Sequence, residues 1–418
     1  MQDRDLYAKL LGLEPPWEVV DVDISMQDRS VQVFVALRAG APTPCPECRE
    51  RCPRHDTRTR SWRHLDTMQY KTLLVAEIPR IDCPTHGTRQ MKVPWAGARA
   101  RFTALFECLV IEWLQHASVK AVAELLDMSW DQVAGIMERA VDRGLARRER
   151  SVPTVVGVDE TSFQKRHEYV TVVCDPERAT VLFVADGRSA DSLSGFFDGL
   201  TAEERAGIDA VAMDMSGAYL SAVTRALGPD ANERIVFDKF HLASLLGDAV
   251  NKVRRDEHKA LLEQHDERLK GTRHLFLMNP DNMSRAQWAG LKPLMSSNLK
   301  VARAWAIKET FMDAFAVRQP TRAERALKEV LAWMSRSRLA PIVRAGRTVR
   351  RHFDGVMNAI LSGITNATAE AINSRIQWLK KQAAGFRSRE RFRQAIYFHL
   401  GGLDLYPDEA RAHSHPNS

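Results

Sequence analysis

Two carboxylates follow apolar stretches that are typical of buried strands. Asp159 stands in "TVVGVDETSF" and Asp214 in "DAVAMDMSGAY", each after a run of small and β-branched residues. Burying a carboxylate is costly unless it is paired or binds a metal ion. Carboxylate oxygens suit Mg²⁺, which keeps open coordination positions for phosphate and water. The two acids therefore predict a magnesium site, the alternative being strand ends that simply reach solvent.

Three cysteines and a histidine form two further pairs with metal-ligand spacing. "CPEC" supplies Cys45 and Cys48, and "CPTH" supplies Cys83 and His86. Zinc binds four such ligands in a tetrahedron, and each pair with two intervening residues supplies two of them from one tight turn. Because four protein ligands leave no open position, we expect one Zn²⁺ in a structural role. Nearby residues that could compete as ligands are Cys52, His55 and His64.

The elements that must position the two acids follow a definite order. Residues 151–246 contain three strand patterns joined by short turns, then a helix, a strand, a helix and a last strand in "RIVFDKFHL". This β-β-β-α-β-α-β order is that of the ribonuclease H fold, in which the first and fourth strands are neighbours. Asp159 ends the first strand and Asp214 the fourth, so we expect the two carboxylates to meet at one edge of the sheet.

Other carboxylates stand near these two. Glu160 directly follows Asp159, so on a strand its side chain points to the opposite face. Asp175 ends the second strand, and Asp238 precedes His241 in "FDKFH". We favour structural roles for these three acids. A supporting role for Asp238 beside the site, and a phosphate contact by His241, stay open alternatives.

A long helical region separates the last strand from a third acid. Residues 247–360 are rich in Lys, Arg, Trp and Met and predict an all-α insertion. The following "TNATAEAINSRIQWLKKQ" predicts a helix on which Glu370 and Asn373, three residues apart, share a face. Asn373 could position Glu370 or contact DNA, and the residues of this region expected to contact DNA are Asn373, Lys380, Lys381, Arg387 and Arg389.

The segment "VKAVAELLDMSWDQVAGIMERAV" predicts a helix-turn-helix within residues 101–150. Ser129 is suited to cap the second helix, and Trp130 and Gln132 at its exposed start would meet base edges or phosphates. The basic residues that follow, which would grip the DNA backbone, are Arg143, Arg147 and Arg148. On pattern alone an ordinary helical hairpin fits as well, because the usual glycine of the turn is absent.

The charge distribution favours a polyanionic partner. The net charge is +7, but Lys and Arg outnumber Asp and Glu by twelve to six in residues 45–101 and by seven to one in residues 371–393. Separated basic patches of this kind indicate nucleic acid. The apolar runs are too short for a membrane span, and "MQDRDLYAKLLGL" is not a secretory signal. We therefore expect a cytoplasmic protein whose clustered cysteines bind metal.

In this order the motifs resemble those of the ISL-three family of DDE-class insertion-sequence transposases. The matching segments are "CPEC" with "CPTH", "RHLD", "GVDETSF", "AMDMSGAY", "FDKFH" and "TNATAEAINSRIQWLKKQAAGFRSRERF". The resemblance implies that Asp159, Asp214 and Glu370 are catalytic and bind two Mg²⁺ ions. It also implies cleavage and joining of double-stranded DNA at terminal inverted repeats, by a homodimer or higher oligomer associated with the bacterial nucleoid.

The sequence thus predicts a multidomain α+β protein in which a ribonuclease H-like α/β domain is interrupted by an all-α insertion. The expected segments are an N-terminal β segment (1–40), a zinc-binding domain (41–100), a helix-turn-helix domain (101–150), the first catalytic part (151–246), the insertion (247–360), the last catalytic part (361–405) and a tail (406–418). Two other functions stay open: a DNA-binding regulator descended from a transposase, and a nuclease that cuts without joining.

Overall fold

Each of two structural units of the chain is built on a five-stranded sheet. The structure is a computed structural model that describes residues 3–149, 151–164 and 168–411. The first unit lies within residues 3–149, 382–384 and 394–411, and the second within residues 151–381 and 385–393. No helix among the described residues is both long and apolar enough to cross a membrane.

The sheet of the first unit has the order β1-β2-β4-β3, and β5 pairs with the outer part of β4. β2 buries every second side chain between Val31 and Val35, and so does β4 between Thr72 and Ile78, which is the pattern of strands with one face on a core. That core includes Trp17, Trp62 and Trp95, whose rings pack edge to face. The elements are α1 (Asp3–Leu10), β1 (Trp17–Ser25), β2 (Ser30–Leu37), β3 (Arg54–Thr67), β4 (Tyr70–Cys83) and β5 (Gly87–Gln90).

β1 and β2 lie within the N-terminal β segment expected at residues 1–40, but nothing in the sequence pointed to β3. Its sequence "RHDTRTRSWRHLDT" is charged, and only Trp62 and His64 within it are buried. Pairing with β4 along its length holds this strand in place. Because β2 pairs with β4, the sheet extends across the boundary expected at residue 40, and the division into segments 1–40 and 41–100 stays a prediction.

Three helices follow in the first unit: α2 (Ala104–Leu114), α3 (Val119–Leu125) and α4 (Trp130–Arg147). Asp127, in the turn between α3 and α4, has a φ of 48° and so takes the left-handed conformation that glycine often supplies. Ser129 caps α4 through a reciprocal pair of hydrogen bonds with Gln132. The absent turn glycine therefore did not prevent the turn.

The sheet of the second unit has the order β10-β9-β6-β7-β8. β6, β7 and β8 are antiparallel, whereas β9 and β10 run parallel to β6. All residues of β9 and β10 are buried, as expected for central parallel strands. The elements are β6 (Val155–Gln164), β7 (Glu168–Asp175), β8 (Thr180–Asp186), α5 (Ala190–Asp198), α6 (Ala202–Ala206), β9 (Ala210–Met213), α7 (Gly217–Leu227), α8 (Ala231–Arg234) and β10 (Ile235–Phe237).

Helices make up the rest of the described chain. The first of them begins at Lys239, directly after β10, and thus earlier than the expected insertion start at residue 247. The helices are α9 (Lys239–Leu262), α10 (Arg273–Leu277), α11 (Arg285–Met295), α12 (Lys300–Asp313), α13 (Pro320–Arg336), α14 (Ala340–Arg351), α15 (Phe353–Ser362), α16 (Ala367–Gln382), α17 (Arg389–Leu400) and α18 (Asp408–Arg411).

Candidate active site, metal centre and DNA-contacting residues

Asp159 lies on β6 just beyond the point where that strand loses one neighbour. β6 pairs in parallel with β9 only as far as Gly157, opposite Ala212, whereas its antiparallel pairing with β7 continues to Gln164. Asp159 therefore stands within the strand and not at its end, because pairing with β7 extends the strand past it. From Val158 onward one edge of β6 has no strand beside it.

Helix α16 lies along this edge of β6, where no strand pairs with it. Carbonyl groups at alternate positions of a strand point to the same edge. Three of these carbonyls accept hydrogen bonds, one from Asn366 directly before α16 and two from side chains within the helix, so the helix is tied to the strand that carries Asp159. The pairs are Asn366 Nδ2 to Val158 O (3.2 Å), Asn373 Nδ2 to Glu160 O (3.1 Å) and Lys380 Nζ to Ser162 O (2.6 Å).

Gly157 allows this close approach of the helix. A Cβ atom at this position would lie 2.8 Å from Cys174 Sγ, 3.2 Å from Asn366 Oδ1 and 3.5 Å from Ala369 Cβ. The first of these distances is shorter than packed atoms tolerate. The glycine of "VVGVDE" is therefore required by the side chain of Cys174 on β7, and it also leaves room for Asn366 and Ala369 at the start of α16.

Both oxygens of Asp159 are held by hydrogen bonds. Oδ2 accepts from Asn373 Nδ2 at 2.7 Å, and Oδ1 accepts from the backbone N–H of Glu160 at 2.8 Å. Burial raises the pKa of Asp159 to about 6, and the nearby carboxylate of Asp214 adds to the rise. An ionised Asp159 in this position is suited to a positively charged ligand.

Asp214 directly follows β9, the neighbour of β6, as the sequence predicted. Its Oδ1 accepts a hydrogen bond of 3.0 Å from the backbone N–H of Ser216. Asp214 lines an open cleft of about 430 Å³ together with Arg188 and His241. The cleft thus leaves the Asp214 carboxylate accessible from outside the protein.

Glu370, in the first turn of α16, lies beside Asp238 and His241. The ligand atoms of these three residues all lie within 4.8 Å of one another. Burial raises the pKa of Glu370, and the Asp238 carboxylate raises it further. Asp159, Asp214 and Glu370 do not form such a set among the described residues, although Asp159 also raises the pKa of Glu370.

The three rival carboxylates have different surroundings. Asp175 is buried and caps a turn, since its Oδ1 accepts from the backbone N–H groups of Glu177 and Arg178 at 2.9 and 3.0 Å. Glu160 pairs with Arg188 at 3.2 Å. Asp238, for which the sequence favoured a structural role, lies against Glu370. One feature of the sequence could have indicated that Asp238 lies near the site: Asp238 directly follows β10 as Asp214 directly follows β9.

The four expected zinc ligands meet between the end of β4 and the "CPEC" turn. Cys48 Sγ lies 3.6 Å from Cys83 Sγ, and His86 Nδ1 lies 3.7 Å from Cys45 Sγ and 3.4 Å from Cys83 Sγ. Ligands of a tetrahedral zinc ion are expected about 3.5–3.8 Å apart. The other ring nitrogen of His86 lies 3.5 Å from a carboxylate oxygen of Glu47, the kind of partner that orients a zinc-binding histidine.

The competing ligands have other partners. Cys52 Sγ contacts the carbonyl of Glu50 at 3.4 Å. His55 Nδ1 lies 2.9 Å from Asp82, and the buried His64 lies 2.9 Å from the hydroxyl of Thr103. The donor set Cys45, Cys48, Cys83 and His86 therefore fits one structural zinc ion without them.

The first turn of α4 is only partly available to a DNA partner. Ser129 Oγ accepts from the backbone N–H of Gln132, and Gln132 Oε1 accepts from the backbone N–H of Ser129. Both side chains therefore stabilise the helix start. The indole of Trp130 is 43% exposed and is the larger surface offered there.

Arg143 and Arg147 of α4 bind the chain's own C-terminal segment. Arg143 donates twice to the carbonyl of Leu405, at 3.1 and 2.7 Å. Arg147 donates to the carbonyl of Tyr406 at 2.6 Å and forms an ion pair of 2.6 Å with Asp408. These contacts occupy the guanidinium groups that the sequence analysis assigned to the DNA backbone.

The remaining basic residues differ in their surroundings. Arg389 pairs with Glu168 at 3.3 Å, and Lys380 is engaged with β6 as described above. Lys381 and Arg387 are exposed, and neither forms a hydrogen bond or ion pair within the described part of the chain. Arg148 is half-exposed at the end of α4. Lys381 and Arg387 are thus accessible cations near the end of α16.

Three family models match this chain. They are described as a transposase of the ISL3 type (residues 156–396), a helix-turn-helix domain of transposase family ISL3 (91–141) and a zinc-finger of transposase IS204/IS1001/IS1096/IS1165 (41–86). The chain is 28% identical over 453 residues to the transposase for insertion sequence element IS1557 of Mycobacterium tuberculosis, covering 100% of this chain and 99% of that protein. It is 27% identical over 372 residues to the transposase for IS1001 of Bordetella parapertussis, covering 88% and 89%.

Proposed function

Because the chain belongs to the ISL3 family of DDE transposases, a class of polynucleotidyl transferases, we propose that it binds the terminal inverted repeats of its own insertion sequence and moves that element. In this proposal Asp159, Asp214 and Glu370 carry strand cleavage and strand transfer. The observation that carries it is the convergence of Asp159 on β6 and Asp214 after β9 with α16, whose first turn holds Glu370.

The catalytic domain is proposed to be ribonuclease H-like. Three antiparallel strands followed by two parallel strands, in the order β10-β9-β6-β7-β8, support this assignment. Residues 151–246 and 361–405 would be its two parts, and the helices within 247–360 its insertion. The segments 1–40, 41–100, 101–150 and 406–418 are likewise proposed as separate parts of the chain.

The residues at the site fit divalent metal ions. The donors are carboxylates, and three buried oxygens without a hydrogen-bond partner among the described residues belong to the adjoining Asp238, Asn366 and Asn373. Asp159, Asp214 and Glu370 would hold two Mg²⁺ ions. When bound, such ions activate the attacking hydroxyl and stabilise the leaving oxygen of an in-line displacement at phosphorus.

The protein's own groups prepare this site. Asn373 and the backbone N–H of Glu160 fix the two oxygens of Asp159, so the carboxylate keeps one orientation. The cleft beside Asp214 admits the DNA strand, with Arg188 and His241 on its wall. Exposed Lys381 and Arg387 are proposed to contact phosphates of the bound DNA, whereas Asn373, Lys380 and Arg389 serve mainly within the protein.

Recognition of the element ends is assigned to the zinc module and the helix-turn-helix. Zinc bound by Cys45, Cys48, Cys83 and His86 would fix the turn that follows residue 44 against β4. Trp130 at the start of α4 and Arg148 at its end are proposed to reach DNA, with Ser129 and Gln132 supporting the helix start. We further propose that the protein acts in the cytoplasm, on the nucleoid, as a dimer or higher oligomer.

One experiment separates this function from its alternatives. Purified protein with Mg²⁺ is incubated with DNA carrying the ends that flank its own gene, and with scrambled ends as the control. We expect nicks at the element boundaries and joined products. Cutting without regard to sequence would indicate a nuclease, and tight binding of the ends without cutting would indicate a DNA-binding regulator.

A further inference from the structure

A fully buried carboxylate oxygen lies unpartnered beside the proposed catalytic residues. Asp238 is 3% exposed, and its Oδ1 accepts a hydrogen bond of 3.4 Å from the backbone N–H of Asn366. Its Oδ2 has no hydrogen-bond partner among the described residues. An unpaired buried charge of this kind is costly, so the free oxygen calls for a proton or a cation.

The fold brings Asp238 to the same end of the sheet as Asp214. Phe237 on β10 pairs with Met213 on β9, and each strand is followed at once by its aspartate. The backbone N–H of Asp238 donates to the carbonyl of Met213 at 3.1 Å. The position of Asp238 is therefore set by the backbone of the sheet and does not depend on side-chain adjustment.

A histidine and a second carboxylate lie beside this oxygen. Atoms of Asp238, His241 and Glu370 all lie within 4.8 Å of one another. Ligands bound to one ion at about 2.1 Å lie roughly 3–4 Å apart, so a small rotation of the half-buried Glu370 and His241 would close such a site. His241 stands one helical turn after Asp238, at the start of α9.

We propose that Asp238, His241 and Glu370 form a divalent-cation site separate from the pair Asp159 and Asp214, and that this site prefers Mn²⁺ to Mg²⁺. The proposal rests on the proposed function only in that it shares Glu370 with the catalytic set. The preference follows from the mixed ligands, because Mg²⁺ is bound through oxygen, whereas Mn²⁺ is a first-row transition-metal ion, the class that imidazole suits, and also accepts carboxylates.

Mn²⁺ binding to the full chain, with its zinc in place, provides the test. Free Mn²⁺ is counted by electron paramagnetic resonance during a titration, without DNA. We expect Asp238→Asn, which keeps the volume and the Oδ1 acceptor, to bind one Mn²⁺ ion fewer than the wild type. His241→Ala should weaken the binding of one Mn²⁺ ion at least ten-fold, and Mg²⁺ should displace Mn²⁺ from that site only at large excess.

Control variants make each outcome decisive. Asp248→Asn, exposed on the same helix α9, should bind as many Mn²⁺ ions as the wild type, and thermal melting should show that every variant is folded. Unchanged Mn²⁺ binding in both Asp238→Asn and His241→Ala would overturn the proposal, as would a wild type that binds no Mn²⁺. A single ion lost in Asp159→Asn but retained in Asp238→Asn would overturn it while leaving the proposed function intact.

Discussion

Asn373 donates a hydrogen bond of 2.7 Å from its Nδ2 to Oδ2 of Asp159. The same nitrogen also donates to the carbonyl of Glu160, so one amide joins α16 to both the carboxylate and the backbone of β6. Residues far apart in sequence thereby fix each other, and the helix that carries Glu370 is held against the strand that carries Asp159.

We expect Asn373→Ala to lower the rate of strand cleavage by roughly 10–100-fold, because loss of a residue that orients a metal-binding carboxylate typically has this effect. Binding of the element ends should change little. The measurement is single-turnover cleavage of labelled ends, beside a gel-shift titration. Ser374→Ala, on the exposed side of α16, is the control and should cleave at the wild-type rate. Equal rates in the two variants would contradict the role given to Asn373.

Asp159→Asn should abolish cleavage while end binding stays within about two-fold of the wild type. The amide keeps the shape of the side chain but cannot supply a negative charge to a cation. Cleavage and binding are measured on the same preparation, with Asp248→Asn as a carboxylate-to-amide control elsewhere. A parallel loss of binding and cleavage would show that Asp159 serves the fold and not the chemistry.

Gly157→Ala should destabilise the second unit by about 1–3 kcal/mol, the usual cost of forcing an extra methyl group into a packed interior. The new Cβ would meet Cys174 Sγ at 2.8 Å. Gly217→Ala is the matched control, because its Cβ would meet nothing within 4 Å. Thermal melting should show a lower midpoint for the first variant alone. Equal melting midpoints of the two variants would contradict the close packing described between Gly157 and Cys174 on β7.

Cys45→Ser should release zinc and unfold the zinc module, because the remaining three ligands no longer close the tetrahedron. Cys52→Ser should retain one zinc ion per chain, since Cys52 is buried but lies outside the ligand set. Zinc is counted by atomic absorption after gel filtration. Loss of zinc from the Cys52 variant, or folding of the Cys45 variant in a chelator, would contradict this ligand set.

Lys381→Ala should weaken binding to any DNA and reduce the slope of log K against log salt by about 1, as expected when one phosphate contact is lost. Arg147→Ala should leave the slope unchanged and instead lower the melting temperature, because Arg147 holds the C-terminal segment. Fluorescence anisotropy at several salt concentrations measures the slope. An unchanged slope for Lys381→Ala together with a reduced slope for Arg147→Ala would place Arg147, and not Lys381, at the DNA interface.

The sequence was most informative where chemistry requires short spacings. The two Cys/His pairs have ligand spacing within single turns, and the structure brings all four residues together. Apolar runs likewise predicted the five strands of the second unit in their observed order. Local patterns of this kind suffice to predict single turns and strands, because the residues that form each of them are close together in the chain.

Relationships between distant segments were decided only by the tertiary structure. The sequence favoured a structural role for Asp238 and assigned Arg143 and Arg147 to DNA. The structure instead places Asp238 beside Glu370 and binds both arginines to residues 405–408. The sequence around a charged residue does not reveal its ion-pair partner, because folding brings that partner from a segment that can be hundreds of residues away. By itself the sequence determined which ligand types this protein has, and the fold decided which of them meet.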